Sequence, residues 1–161
     1  MNRTLAAFAL IFVLTTILAA FSIAVEIKGY PFGALGVARL DILASAATFI
    51  PLAALYAFCA ALMMLLPLRA AGFIMANGAV PVFSTTLVLF ATIVGVQLAR
   101  FAFGKNGALW VLVDWQFIFA AGVVASHLFM NELRRNILLR TLFFVAFLAA
   151  CLACLFWTFR L

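Results

Sequence analysis

The chain has 161 residues, 70% of them hydrophobic and 9% charged, with a mean hydropathy of +1.35. A water-soluble domain of that length cannot hide so much apolar surface behind its few polar groups, so a soluble fold is excluded and the solvent is lipid. The net charge of +6, from ten Lys and Arg against four Asp and Glu, is scattered between apolar runs; that is the pattern of topology signals and lipid headgroup contacts, not of nucleic-acid binding.

The first apolar run, closed by Glu26 and Lys28, predicts a span over residues 4–25. It exceeds the roughly 7 to 15 residues of a signal-peptide core and ends without a small-x-small cleavage site, so it reads as a retained helix. Residues 29–41 hold three glycines and Pro31 and read as a loop or short surface helix. Asp41 is a suitable N-cap for a second span over 42–66, with Pro51 inside it and Pro67 placed to end it. Residues 69–80, bracketed by Arg69 and the pair Asn77 and Gly78, are expected to form a connecting loop or half-buried turn. Pro81 then opens a third span over 81–103, residues 104–107 make a tight polar turn, and the fourth and fifth spans cover 110–130 and 137–159.

The expected fold class is therefore all-α, a polytopic transmembrane helical bundle of about five spans, with four or six as alternatives, forming a single domain over residues 1–161. Arg134, Arg135 and Arg140 form the densest basic cluster and place their connection in the cytoplasm. With five spans the N-terminus and Arg69 are then inside and Lys28, Lys105 and the C-terminus outside, in what is expected to be a bacterial inner membrane. Trp110, Trp115, Trp157 and Tyr30 would gather at the outer interface, where amphipathic rings favour headgroup depth.

Few residues carry chemistry. Arg100 and Asp114 stand on consecutive spans about equally far from the turn at 104–107, so a helical hairpin would bring them to similar depth. Opposite charges there relieve each other's burial cost, and Gln97, one turn before Arg100, would extend an intramembrane polar pair. It reads either as a hairpin clasp or as a proton, ion or substrate site. His127 and Asn131 share a helical face, with Glu132 turned partly away; a single His cannot assemble a three- or four-ligand metal site, so the expected role is interfacial hydrogen bonding and no metal is expected. Cys151 and Cys154 spell C-x-x-C, but among Leu, Phe and Ala a thiolate is disfavoured, and the two read as packing residues.

Small residues recur at every fourth position, Ala53, Ala57 and Ala61 in one span and Gly122 with Ser126 in another, and read as helix-packing stripes. Haem-ligating, phosphate-cradling and hydrolase motifs are not found, so neither enzymatic activity nor a cofactor is expected. Leu68-Arg-Ala-Ala-Gly72 is similar to a short stretch in membrane subunits of lipopolysaccharide-export ABC permeases. Those subunits have six spans and a large periplasmic β-domain after the third, where this chain has a four-residue turn, so a likeness over five residues assigns nothing. The sequence leads to a non-catalytic subunit that stabilises or positions partners in a larger membrane complex, in contact with membrane lipids and other membrane subunits. The alternative is a small transporter, channel or ABC-type permease subunit.

Overall fold

A computed structural model describes residues 2–29 and 46–160; the readings made on Tyr30, Pro31 and Asp41 lie outside the described residues. The protein is all-α, 90% helical and without a strand among the described residues. In hydrocarbon no water satisfies backbone N–H and C=O groups, so each apolar run closes its own hydrogen bonds as a helix. We number the helices α1 (Asn2–Ile27), α2 (Ala46–Leu65), α3 (Leu68–Ala102), α4 (Trp110–Val113), α5 (Trp115–Ala125), α6 (Met130–Arg135) and α7 (Ile137–Phe159). Of these, α1, α2, α3 and α7 are long and apolar enough to cross a membrane. The protein is thus a multi-pass integral membrane protein.

Two segments differ from the sequence reading. Residues 69–80 are not a loop: α3 runs from Leu68 through a π turn at Met75–Ala79 into Val80–Ala102 without a break. The Val80 N–H reaches back five residues to the Met75 carbonyl. Pro81, expected to open the helix, instead lies inside it, where it lacks an N–H and its ring crowds the carbonyl four residues earlier. Widening the helix just before it relieves that clash, and the Asn77 side-chain amide donates to the Phe73 carbonyl at 3.0 Å. The resulting helix of 35 residues is about 52 Å long at 1.5 Å per residue, against a hydrocarbon thickness of about 30 Å, so it tilts or emerges into the interface.

The second difference is in 110–130, expected as one span. It is interrupted at Asp114, whose ψ of 126° leaves the helical region, and again by a 3₁₀ turn at Ser126–Phe129. Asp114 Oδ1 accepts from the Gln116 N–H at 3.2 Å and so caps α5. An Asp in an otherwise apolar run competes for backbone donors and starts a new helix there.

The chain divides into two compact units, Met1–Thr48 with Leu87–Phe117 and Phe49–Thr86 with Ile118–Leu161. In the first, α1 and the second half of α3 run parallel. The Phe8 and Phe90 rings lie 5.6 Å apart, and further along Gly95 meets the α1 backbone. A Cβ on Gly95 would lie 3.0 Å from the Phe12 carbonyl oxygen and 3.1 Å from the Thr16 nitrogen, so only glycine permits this approach. The α1 threonines at the crossing turn their hydroxyls onto their own helix, Thr15 to the Ile11 carbonyl and Thr16 to the Phe12 carbonyl, both at 2.7 Å.

In the second unit, α2 and the first half of α3 form an antiparallel hairpin about Leu66 and Pro67. There a Cβ on Gly78 would come 3.1 Å from Cys59 Sγ. Helix α7 runs antiparallel to α2, with Ala57, Ala150 and Cys151 in one buried cluster against Val123. Ala53, Ala57 and Ala61 are all buried. Gly122, by contrast, faces open space, and the Ser126 hydroxyl bonds the Val123 carbonyl.

Candidate functional site

Polar side chains concentrate at one place in the first unit and at two in the second. In the first unit, Gln97 and Arg100 lie one turn apart on a buried face of α3, Arg100 with only 8% of its surface exposed. The helix ends immediately afterwards in a Schellman cap. Gly104, at φ +91°, takes the left-handed position, its N–H bonds the Phe101 carbonyl at 3.0 Å, and the Lys105 N–H bonds the Arg100 carbonyl at 3.0 Å. The cap folds the chain back so that Lys105 joins Arg100 at one cleft. That cleft, of about 290 Å³, is lined by Ile23, Glu26 and Ile27 from the end of α1 and by Arg100, Phe103 and Lys105. Among the described residues its walls thus hold two cations, one carboxylate and three large apolar side chains.

Arg100 lies near the end of α3, one turn from Gln97. Asp114 engages the head of α5. Lys105 and Glu26, which complete the cleft, were missed. The signal was present in Gly104-Lys105 directly after an apolar run, which spells the left-handed cap and returns the following side chain toward the last turn.

In the second unit the Tyr56 hydroxyl and His127 Nδ1 share a hydrogen bond of 3.0 Å. Tyr56 is fully buried in α2, and the imidazole is held between its ring edge, at 5.6 Å between centroids, and the Phe83 ring, stacked at 4.3 Å. Neither Tyr56 nor Phe83 was singled out from sequence. A tyrosine in mid-span carries a hydroxyl that cannot stay unpaired in hydrocarbon, and the chain's one histidine is its natural partner. The pair joins α2 to the 3₁₀ turn; it has the form of an interhelical fastening with a polar tip at each side.

Arg140, in the first turn of α7, has a role no spacing suggested. Its Nε donates to the Met64 carbonyl and its Nη2 to the Leu66 carbonyl at 2.7 Å, so the guanidinium caps the C-terminal end of α2. That end carries unsatisfied carbonyls and the negative pole of the helix dipole, both of which a cation satisfies. Asn136 positions it by capping α7, its Oδ1 accepting from the Leu138 N–H at 3.0 Å. Comparison with known protein families, with curated proteins and with solved structures finds no match to this chain.

Proposed function

We propose that this chain is a non-catalytic integral membrane subunit that stabilises or positions larger membrane partners. The observation supporting this reading is how its polar side chains are used. Tyr56 and His127 bond each other, Arg140 caps α2, Asp114 caps α5, and Thr86 and Thr92 return to the Val82 and Val88 carbonyls. These groups hold the fold together, whereas a pore or an active centre needs such groups aimed at a ligand. Helix α1 meanwhile leaves Leu10, Leu14, Ile17, Leu18 and Phe21 exposed, a surface suited to hydrocarbon and to other helices.

The orientation we propose is N-terminus cytoplasmic and C-terminus outside, in a bacterial inner membrane. It is supported by Arg69, Arg134, Arg135 and Arg140, which lie at the end of the second unit where Arg140 reaches Leu66. Extraction in a mild detergent followed by quantitative mass spectrometry tests the subunit reading. A discrete complex of fixed stoichiometry is expected, and a chain that purifies alone while retaining its fold refutes it. A second reading, a small transporter or permease subunit, is favoured by the two interrupted helices, at the π turn of α3 and at Asp114, because broken helices line many transport sites. Flux in liposomes that is absent from the wild type, or unchanged by Asp114→Asn, disposes of the role of Asp114 in it.

A further inference from the structure

We propose that Arg69, Arg134 and Arg135 form a binding surface for the headgroups of net-anionic phospholipids. Helices α2, α3 and α7 are each long and apolar enough to cross a membrane, and the bond from Arg140 to the Leu66 carbonyl holds the end of α2 level with the start of α7. Arg69 follows Leu66 by three residues, in the first turn of α3, and Arg135 precedes Ile137, where α7 begins, by two. The three arginines therefore stand at one end of the second unit, where these helices meet the headgroup layer.

The fold exchanges one member of the basic cluster seen in the sequence. Arg140 spends its guanidinium on the Met64 and Leu66 carbonyls, and the turn at Pro67 brings Arg69 to the same end. Arg69 and Arg135 are exposed and Arg134 is half-buried, and none of the three makes a hydrogen bond or ion pair with a described residue. Glu132 is the one carboxylate side chain in the second unit. Asp41 cannot add another, because it is tied five residues ahead of Ala46, a reach of at most about 18 Å, while α2 carries the chain about 28 Å from Ala46 to Leu65. Three forks of donors against one carboxylate leave an excess of positive charge suited to an anionic phosphodiester. A zwitterionic headgroup brings a cation of its own and neutralises less of it.

The neighbours of these arginines favour a lipid over a water-borne phosphate. Leu68, Ile137 and Leu138 lie within three residues of them in the chain and are each 77% exposed. Large apolar side chains left open beside cations suit the hydrocarbon just below a lipid phosphate, with the arginine stems lying along them and the charged heads at the phosphate level. A soluble anion would leave the same side chains in water.

Purified protein in nanodiscs holding phosphatidylglycerol and phosphatidylcholine in equal amounts, scored by native mass spectrometry for retained lipid, tests the surface. The wild type is expected to retain phosphatidylglycerol about fivefold to tenfold over phosphatidylcholine, the scale of one or two arginines acting near an anionic surface. Combining Arg69→Gln, Arg134→Gln and Arg135→Gln should bring the ratio to within about twofold of parity, whereas the three corresponding lysine replacements keep most of the preference. None of the three side chains bonds a described residue, so both variants are expected to keep the wild-type helix content and elution volume. Arg160→Gln removes one charge at the opposite end of α7 and should lower the ratio less than Arg69→Gln does. Equal retention of the two lipids by the wild type, a preference untouched by the triple glutamine variant, or one lost equally to Arg160→Gln and to Arg69→Gln overturns the proposal. So does displacement of the retained phosphatidylglycerol by water-soluble glycerophosphate, which would make the surface a site for a free phosphoester.

Discussion

Replacing Gly95 by alanine tests the closest helix contact in the first unit. The added Cβ would lie 3.0 Å from the Phe12 carbonyl oxygen, 3.0 Å from Thr15 Cβ and 3.1 Å from the Thr16 nitrogen. A carbon meets a carbonyl oxygen comfortably at about 3.3 Å or more, so α1 must retreat by a few tenths of an ångström. Two of the three obstructing atoms are backbone, and no side-chain rotation clears them. Overpacking of this kind costs about 1 to 3 kcal/mol. It is opposed by the helix propensity that alanine gains over glycine, about 1 kcal/mol.

Gly72 and Gly122 supply internal controls, because both are helical and a Cβ on either meets nothing within 4 Å. Gly72→Ala and Gly122→Ala should therefore gain about 0.5 to 1 kcal/mol. Gly95→Ala should fall below them by about 1 to 3 kcal/mol, the overpacking term alone. Unfolding by dodecyl sulfate titration from mixed micelles, followed by circular dichroism, measures the three on one scale. If Gly95→Ala gains as much as the controls, α1 and α3 do not approach at backbone distance and the parallel pairing is wrong.

Tyr56→Phe removes the bonds of its hydroxyl to His127 and Ser126 while leaving the ring, and in the same titration it should cost about 0.6 to 1.7 kcal/mol, the scale of interhelical hydrogen bonds in membranes. His127→Ala should cost more, since it also removes the stack on Phe83; losses that simply add when the two variants are combined would deny that the two residues bond. Arg140→Met should destabilise the second unit by about 2 to 4 kcal/mol, and Arg140→Lys should recover only part of that, because an ammonium cannot reach two carbonyls in a fixed fork. Full recovery by lysine in the titration would reduce the cap to a charge effect. Gly104→Ala must adopt φ near +91° in open space and should cost about 1 to 2 kcal/mol, with Gly104→Asn losing less; identical losses for the two would argue against the left-handed cap.

Composition alone settled the solvent, and with it the helical class. Apolar runs of about 20 residues are too long for barrel strands and satisfy their backbone in lipid as helices, so α1, α7 and the C-terminal end of α2 were legible nearly to the residue. The breaks at Pro67 and at Gly104 were legible too, since each rests on local backbone chemistry. At Pro81 and Asp114 the same local rules pointed the wrong way. Proline was absorbed by a π turn instead of opening a helix, and aspartate capped a new helix inside what read as one span.

Only the tertiary structure decided which polar groups meet. In a soluble protein the polar face of each helix marks what stays outside, and the apolar stripe marks what packs. Here nearly every face is apolar, so the pattern along a helix says little about its neighbours. That Tyr56 finds His127, that Arg140 closes the end of α2, and that Glu26, Arg100 and Lys105 share one cleft follow from how the helices cross. Crossings in lipid are chosen by close contacts such as Gly95 against Phe12, which depend on two distant stretches of chain at once.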